Sequence, residues 1–387
     1  MNSDIVIIGA GHSGGMLAIK LRRKKYKGSI LIIGNEPYHP YQKPPLSKGF
    51  LTDDINERSL MLKSEVFYKK NNINLLLSKN VVSIDSSKQS LALDDGKTIY
   101  FSKLIFATGG IPNKLYTNSN TNGILYLRTI EDSKKIKDQM NRSKSLLIIG
   151  AGYIGLEISA IARKIGIETT VIEMSERPMS RVVCPEVSDF FKNKHETNGV
   201  NFLLDSKVVD VQQNGGKKKV FLKDGSELDT DMVIVGIGLK PNEVLAKKAG
   251  IKCNNGITVD TFGETSIKNI FAIGDCSNQY NDIFKKRLRL ESVQNAVDQA
   301  EAVASVLTGG DCPKPAIPWF WSDQYDLKLQ ITGISSNYDS YKIEGSLKKE
   351  KFSVAYHKSN KLIALEAIND SKSFLAAKRL LGNQIEF

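Results

Sequence analysis

The sequence predicts an α/β protein with two similar α/β domains and a C-terminal α+β domain. A strand-like apolar run followed by glycines and a helical pattern begins at Asp4, and the same succession recurs at Ser145. After Gly310 the pattern changes to short strand-like runs separated by lysine-rich turns. The length of 387 residues agrees with this organisation, because roughly 150 residues per domain gives two or three domains.

The first unit has the glycine pattern of a Rossmann-like dinucleotide-binding domain. Its apolar run reaches Gly9, Gly11 and Gly14 in the spacing GxGxxG and continues into an amphipathic helix. A second apolar strand follows at 30–33. Gly9 permits a tight turn, Gly11 leaves room for a pyrophosphate, and Gly14 lets the helix pack on the strand. Free N–H groups at the start of the helix then favour phosphate.

The second unit repeats the pattern and adds a carboxylate. Its glycines are Gly150, Gly152 and Gly155, and its second strand ends at Glu173. Two complete patterns predict two bound dinucleotides. A carboxylate at the end of the second strand binds the ribose hydroxyls and repels a 2′-phosphate, so Glu173 favours NADH over NADPH.

At each of the two ribose positions, the neighbouring residues leave an alternative open. Arg177 and Arg181 follow Glu173, and arginine can accept a 2′-phosphate, so NADPH remains an alternative. In the first unit the corresponding stretch offers Asn35 or Glu36 for the ribose.

Several further elements can be predicted from the pattern. Buried strands are expected at 104–110, 233–238 and 270–275, the last with Asp275 at its tip. DDGK at 94–97 and KDGS at 223–226 predict turns of small antiparallel meanders. Helices are expected from Ser292 to about Leu307 and from Ser371 to Leu381.

Composition limits the class of protein and its partners. Lysine and arginine number 54 against 42 acidic residues, a net charge of +12, and 41% of residues are hydrophobic. This profile excludes a largely disordered chain and suits an acidic partner, although a lysine-rich background composition gives the same excess. No apolar run approaches about 18 residues, and the N-terminus lacks a signal-peptide pattern, so a cytoplasmic protein without a membrane partner is predicted.

The cysteines and histidines do not form a metal-binding pattern. No two cysteines are two to four residues apart, and no two histidines have metal-ligand spacing. We therefore predict no metal and expect the cysteines to be buried thiols in a reducing compartment. The cysteines are Cys184, Cys253, Cys276 and Cys312, and the histidines are His12, His39, His195 and His357.

With these motifs the chain resembles the FAD-dependent ferredoxin reductases, the putidaredoxin reductase and rubredoxin reductase type of the two-dinucleotide pyridine nucleotide-disulfide oxidoreductases. The stretch PYQKPPLSK at 40–48 carries the resemblance most specifically, with GD at 274–275 and PWFWSDQY at 318–325. The resemblance implies FAD in the first unit and NAD(H) in the second. It also implies an FAD-binding domain from 1–108 and 240–312, an NAD-binding domain at 109–239 and a C-terminal domain at 313–387.

The resemblance further implies a set of site residues. FAD contacts fall on the first glycine pattern and on Ser13, Asn35, Glu36, Lys43, Lys48, Val81, Arg128, Asp275, Val293 and Trp321. NAD contacts fall on the second glycine pattern and on Tyr153, Ile154, Glu173, Arg181, Gly238 and Glu291.

Two of these residues are expected to act in catalysis. In the family the counterpart of Lys48 lies near the flavin and pairs with the counterpart of Glu157, and a cation there stabilises the reduced, anionic flavin. An ordinary surface ion pair is the alternative. Tyr153 is expected to gate the nicotinamide pocket, with a packing role as the alternative.

Other residues also have a structural alternative. Asp275 suits a flavin hydroxyl or a helix N-cap. Trp319 and Trp321 share one face if they lie on a strand, and one of them would stack on the flavin or simply fill the C-terminal core.

Missing thiols indicate where the electrons go. Disulfide reductases of the superfamily carry two close cysteines in the first domain, and peroxidase relatives carry one in the stretch matching 41–50, but this chain has neither. The expected acceptor is an acidic iron-sulfur carrier, either a 2Fe-2S ferredoxin that feeds a monooxygenase or dioxygenase, or a rubredoxin. We expect the carrier to dock on the basic residues Lys285, Lys286, Arg287 and Arg289, for which a solvated loop is the alternative.

A flavoprotein similar to apoptosis-inducing factor that senses redox state and binds nucleic acid is the remaining alternative. It is disfavoured because the basic residues are spread along the chain without an aromatic-interleaved patch.

Overall fold

The structure, a computed structural model, describes residues 1–117, 123–311, 313 and 316–383. Cys312 lies outside the described residues. The helices are α1 His12–Arg23, α2 Glu57–Leu60, α3 Glu65–Lys70, α4 Ile130–Met140, α5 Tyr153–Lys164, α6 Pro185–Thr197, α7 Val244–Lys248, α8 Val293–Leu307 and α9 Ser371–Asn383.

The strands are β1 Asn2–Ile8, β2 Ile30–Ile33, β3 Ile73–Leu76, β4 Val81–Asp85, β5 Ser90–Leu93, β6 Thr98–Phe106, β7 Gly110–Pro112, β8 Ile124–Leu125, β9 Ser145–Ile149, β10 Glu168–Ile172, β11 Val200–Leu203, β12 Val208–Asn214, β13 Lys217–Leu222, β14 Glu227–Thr230, β15 Met232–Val235, β16 Leu239–Pro241, β17 Ile257–Val259, β18 Ile270–Ala272, β19 Ser277–Asn281, β20 Lys286–Leu288, β21 Trp319–Gln324, β22 Leu327–Gly333, β23 Ser340–Ser346, β24 Lys351–Lys358 and β25 Lys361–Ile368.

The first α/β unit is built on a parallel sheet. Strands β3, β2, β1, β6 and β18 lie side by side in that order, and β5 and β4 extend the sheet in antiparallel fashion from β6. All four residues of β2 are buried, as a strand covered on both faces requires. The predicted turn at 94–97 joins β5 to β6.

The second α/β unit repeats this arrangement. Its parallel sheet has the order β11-β10-β9-β15-β8, and an antiparallel meander of β12, β13 and β14 adjoins it. The predicted turn at 223–226 joins β13 to β14. The sequence repeat therefore corresponds to two similar sheets, as predicted.

A two-stranded ribbon connects the two units. Strands β7 and β16 pair in antiparallel register, with Ile111 opposite Lys240. The chain enters the second unit after β7 and leaves it at β16, so both passages lie side by side.

The C-terminal part is an antiparallel sheet with a helix on one face. Its order is β21-β22-β25-β24-β23. Along β25, Leu365 and Ala367 pack on Phe374 of α9, whereas Ala364 and Ile368 face the core shared with the second unit. This alternation places the sheet between α9 and the second unit, and it confirms the predicted α+β class.

The predicted helices in the last third of the chain are also present. Helix α8 is capped by Ser292, whose hydroxyl accepts a hydrogen bond from the Asn295 N–H. Helix α9 extends two residues beyond the predicted end at Leu381. Within the described ranges, the helices are all too short or too polar to cross a membrane.

Candidate cofactor and active site

The first glycine turn has the geometry that the sequence pattern predicts. Gly9 has a φ of +118°, and a Cβ there would lie 2.2 Å from the Ala107 carbonyl oxygen. A Cβ on Gly14 would lie 2.1 Å from the Gly9 carbonyl oxygen, so helix and strand pack too closely for a side chain. A Cβ on Gly11 would meet no atom within 4 Å. The turn therefore leaves an open cradle at the start of α1.

The second glycine turn repeats these features and holds a carboxylate. Gly150 has a φ of +105°, and a Cβ on Gly155 would lie 2.2 Å from the Gly150 carbonyl oxygen. A Cβ on Gly152 would again meet no atom within 4 Å. The Glu173 carboxylate accepts a hydrogen bond of 2.8 Å from the Ala151 N–H. The acid chosen from the sequence therefore lies against the turn.

The two arginines after Glu173 differ in whether their guanidinium groups are already hydrogen-bonded within the protein. The Arg177 guanidinium donates to the carbonyl oxygens of Val183 and Ser180, at 3.0 Å each, so it braces its own loop. The Arg181 side chain is exposed. Of the two, Arg181 is therefore the one that is free to reach a 2′-phosphate.

A network of charged and polar groups lies beside the first glycine turn. The Tyr41 hydroxyl donates to Glu36 at 2.7 Å. The Lys43 ammonium contacts that hydroxyl at 2.9 Å, Glu36 at 3.4 Å and the Arg128 carbonyl oxygen at 3.1 Å. Burial, followed by the nearby Arg128 charge, lowers the pKa of Lys43 to about 8. Of the two candidates for a ribose, Asn35 is exposed and Glu36 lies within this network.

Asp275 joins this network and is not a helix N-cap. It lies in a short 3₁₀ turn, and its carboxylate pairs with the Arg128 guanidinium at 2.8 Å. The alternative of an N-cap is wrong because Ser292 caps the following helix. A Cβ on Gly274 would lie 2.7 Å from the Ser13 hydroxyl oxygen, so the tip of β18 touches the start of α1.

The His12 ring supplies an unused polar group at the same place. Its Nδ1 atom is buried and has no hydrogen-bond partner among the described residues. Burial lowers the pKa of His12, and the Asp275 charge opposes this shift. The start of α1 also lacks a side-chain cap. A dinucleotide phosphate would satisfy these free groups, so the residues present fit the cofactor.

An ion pair joins the two units. The Lys48 ammonium lies 2.7 Å from the carboxylate of Glu157, which is 4% exposed. The same carboxylate accepts hydrogen bonds from the hydroxyls of Ser47 at 2.5 Å and Ser322 at 2.6 Å. Glu157 of the second unit is therefore held by side chains from the first unit and the C-terminal sheet. The alternative of an ordinary surface ion pair is wrong because the carboxylate is buried.

Strand β21 packs on the helix that carries this carboxylate. The Phe320 ring centroid lies 4.6 Å from that of Tyr153, one helical turn before Glu157. Trp319 and Trp321 share the other face of the strand, as predicted, with ring centroids 5.5 Å apart. Burial raises the pKa of Tyr153 well above its usual value, so its hydroxyl is neutral.

The remaining site residues of the sequence analysis are more dispersed. Glu291 is paired with Arg289, and Arg287 donates to the carbonyl oxygens of Val259 and Asn278. Two of the four basic residues assigned to carrier docking, Arg287 and Arg289, are therefore engaged in contacts with neighbouring strands and loops. The others have these places: Val81 begins β4, Val293 begins α8, Ile154 is exposed on α5, and Gly238 has a φ of +91° between β15 and β16.

Four residues with direct contacts to the site were missed as functional residues. They are Tyr41, Ser47, Phe320 and Ser322. The period-2 alternation of a strand was the available signal, because it places Phe320 and Ser322 on the face opposite the two tryptophans.

Two glycine turns, each with an open cradle, and an ion pair between their units define an oxidoreductase with two dinucleotide sites. The model for the pyridine nucleotide-disulphide oxidoreductases matches residues 3–300, and that for the reductase C-terminal domain matches residues 319–387. The chain belongs to the pyridine nucleotide-disulphide oxidoreductase family, and within it to the ferredoxin reductases.

Relatives are similar over nearly the whole chain. Rhodocoxin reductase of Rhodococcus erythropolis is 38% identical, over 99% of this chain and 90% of that protein. A rubredoxin-NAD(+) reductase of Pseudomonas putida is 40% identical, over 94% and 95% of the two chains. In the covalent putidaredoxin reductase–putidaredoxin complex, the matching chain has a TM-score of 0.95 and 35% identity, over 98% of this chain and 93% of that one.

Family membership confirms several predictions. The fold class, the oxidoreductase activity and the cofactors FAD and NAD(H) are as the sequence indicated.

Within the described part of the chain, histidine, cysteine and carboxylate side chains form no cluster that could hold a metal.

Proposed function

We propose that the protein is an NADH-dependent reductase that passes electrons through FAD to an acidic 2Fe-2S ferredoxin. The Lys48–Glu157 pair carries this proposal, because it joins the FAD unit to the helix that follows the second glycine turn. We infer that Lys48, held there by a buried carboxylate, would supply positive charge beside the reacting ends of the two cofactors.

The chain's own residues bind, orient and neutralise charge at this place. When bound, FAD accepts a hydride from NADH and releases the electrons singly. Lys48 supplies positive charge that favours the reduced flavin, and Glu157 keeps the lysine oriented. Ser322 and Ser47 fix Glu157, so the position of the lysine depends on the C-terminal sheet. Tyr153 is neutral and packs on Phe320, and it would cover the nicotinamide pocket.

An external carrier is supported by the distribution of cysteines. The first cysteine of the chain is Cys184, so residues 1–108 of the proposed FAD-binding domain have no thiol to relay electrons. Burial raises the pKa of Cys184 to about 11 and also raises that of Cys276, which makes both thiols poor nucleophiles. The names of the relatives, rhodocoxin reductase and putidaredoxin reductase among them, also indicate a protein acceptor.

The basic surface is proposed to favour docking of that acceptor. A net charge of +12 attracts acidic carriers. Lys285 is exposed in the turn before β20, and the ammonium of Lys286 contacts Ser336 at 3.0 Å. These two lysines remain available for docking, whereas Arg287 and Arg289 bind neighbouring strands and loops.

We also propose the domain limits and the location. FAD-binding residues 1–108 and 240–312 would flank NAD-binding residues 109–239, with 313–387 as the C-terminal domain, and the β7–β16 ribbon supports both inner boundaries. A cytoplasmic location is supported by the three described cysteines, Cys184, Cys253 and Cys276, which are all free thiols.

The test is reduction of the purified flavoprotein followed by carrier coupling. We expect anaerobic NADH to bleach the flavin absorbance and an added 2Fe-2S ferredoxin to couple this to cytochrome c. The matched comparison uses rubredoxin at the same concentration. Failure to take up FAD, or bleaching by NADPH alone, would overturn the proposal. Coupling to rubredoxin but to no ferredoxin would favour rubredoxin reductase, and tight duplex DNA binding without coupling would favour the nucleic-acid-binding alternative.

A further inference from the structure

A buried carboxyl group lies in the C-terminal sheet without an evident partner. Glu366 of β25 is 0% exposed, and neither of its side-chain oxygens has a hydrogen-bond partner in the described residues. Its strand neighbours on the same face, Ala364 and Ile368, belong to the core shared with the second unit. An unpartnered acid is costly in such a place, which indicates a role beyond packing.

The surroundings of Glu366 belong to the NAD-binding side of the molecule. The Tyr356 hydroxyl, on the adjacent strand, accepts a 3.1 Å hydrogen bond from the Cys184 N–H. The Tyr356 hydroxyl also interacts with Glu366. Tyr153 and Arg177 also interact electrostatically with Glu366.

Cys184 ends the segment 174–184, which we call the covering loop. Its Met179 N–H donates to the Ala151 carbonyl oxygen at 3.0 Å, inside the second glycine turn. Met179 is 4% exposed and has a φ of +52°, an unfavourable conformation that the surrounding contacts must impose. The loop therefore connects the C-terminal sheet to the glycine turn through two hydrogen bonds that its backbone N–H groups donate, one to the Tyr356 hydroxyl and one to the Ala151 carbonyl oxygen.

We propose that Glu366 in its neutral form, together with Tyr356, positions the covering loop against the glycine turn and so sets the affinity for NADH. This inference rests on the proposed binding of NAD(H) at that turn. Both are positioning residues, because their contacts reach the turn only through Cys184 and Met179.

Burial of the Glu366 carboxyl, and not a neighbouring charge, favours its neutral form. Burial raises the pKa of Glu366 to about 8, and Tyr356, the Cys184 backbone and Arg177 oppose this only in part. Tyr153 and Tyr356 are themselves neutral, since burial raises the pKa of each.

One further acid lies near the covering loop. Glu186 of α6 interacts with Cys184 and accepts a 2.6 Å hydrogen bond from the Tyr341 hydroxyl. Burial opposes it, but this hydrogen bond helps to lower the pKa of Glu186, so Glu186 adds a negative charge beside the covering loop. Above about pH 8, ionisation of Glu366 would place a charge in an apolar interface and loosen the loop.

The test is the pH dependence of NADH binding by the holoenzyme. Ferricyanide reduction would give KM and kcat from pH 6 to pH 9.5, and calorimetry would give the affinity of the oxidised protein for NAD+. We expect KM to rise about tenfold between pH 7 and pH 9, because only the neutral fraction binds, with kcat little changed. Glu366→Gln should keep KM flat, since an amide preserves the shape and does not ionise. Tyr356→Phe should raise KM at every pH.

Glu344→Gln is the matched control, because Glu344 is exposed on β23 of the same sheet. The KM of Glu344→Gln should depend on pH in the same way as that of the wild type. A KM that stays flat in the wild type, or rises equally in Glu366→Gln, would overturn the inference. If Glu366→Gln does not accumulate as holoenzyme, the wild-type profile and Tyr356→Phe decide the question. A wild type that NADH does not reduce at any pH would instead refute the proposed function.

Discussion

The Lys48 ammonium and the Glu157 carboxylate lie 2.7 Å apart, and they join the first α/β unit to the second. Glu157 is 4% exposed, so its charge depends on Lys48 and on two serine hydroxyls. Removing one member of a buried pair leaves the other uncompensated. The two residues should therefore affect the flavin in opposite directions.

Replacing Lys48 with methionine should make the flavin midpoint potential more negative. The substitution removes a positive charge and leaves the Glu157 carboxylate unpaired, and both changes disfavour a reduced, anionic flavin. For a two-electron couple, a loss of about 1.4 kcal/mol in the stability of the reduced flavin corresponds to a shift of roughly 30 mV in the midpoint potential. Potentiometric titration of the purified flavoprotein measures this shift.

Glu157→Gln is the counterpart of that variant. It keeps the lysine and removes the negative charge, so the potential should become more positive. Shifts of the same sign in Lys48→Met and Glu157→Gln, or no shift in either, would show that the pair is remote from the flavin.

Glu173→Gln should weaken the preference for NADH over NADPH. The amide can still accept from the Ala151 N–H, but it no longer repels a 2′-phosphate. A hydrogen bond to a charged group contributes about 1.5–3 kcal/mol, so the ratio of kcat/KM values should fall about 10- to 100-fold. The bound FAD content should not change. Glu176→Gln, an exposed neighbour, is the control, and an unchanged ratio in Glu173→Gln would show that Glu173 does not contact the ribose.

Local patterns were sufficient to predict the two glycine turns and the helices that follow them. Strand, turn and helix lie within one stretch of sequence there, and the spacing of the glycines fixes the geometry. The contacts of Glu157 were only partly predictable. Its partner Lys48 came from the resemblance, but Ser322 is 165 residues away, and no local pattern indicates which strand packs on which helix.

Glu366 shows the same limit more clearly. The sequence indicates only short strand-like runs in this part of the chain, and it is the packing of the C-terminal sheet on the second unit that buries the carboxyl. The alternative prediction, that Asp275 caps a helix, is wrong for a related reason. A helix N-cap was a local interpretation, whereas the distant Arg128 takes the carboxylate.

The protein should lose stability in mild acid because of His195. This ring is 0% exposed between Ser159 and Gln324, and burial lowers its pKa to about 4. Between pH 6.5 and pH 4 the unfolded chain therefore binds a proton that the folded chain does not, so the free energy of unfolding falls as the pH falls, by up to about 1.4 kcal/mol per unit. Urea unfolding at several pH values should show a shallower dependence in His195→Gln than in the wild type. If the free energy of unfolding depended on pH equally in the two proteins, the effect could not be assigned to His195.

Coupling to the carrier should depend on salt more strongly than reduction of the flavin. Docking of an acidic ferredoxin on Lys285 and Lys286 is a contact between exposed charges, and these are largely screened beyond about 8 Å at ~0.15 M ionic strength. Ferricyanide reduction needs no protein docking and should respond far less. Reversing both charges, Lys285→Glu with Lys286→Glu, should slow ferredoxin-dependent cytochrome c reduction and leave ferricyanide reduction unchanged.

The matched control is Lys348→Glu with Lys349→Glu, which changes the net charge equally in an exposed turn at the far end of β23 from Ser336. Equal slowing by both double variants would mean that overall charge, and not this surface, drives docking, and equal salt sensitivity in the two assays would mean that the carrier does not dock by charge.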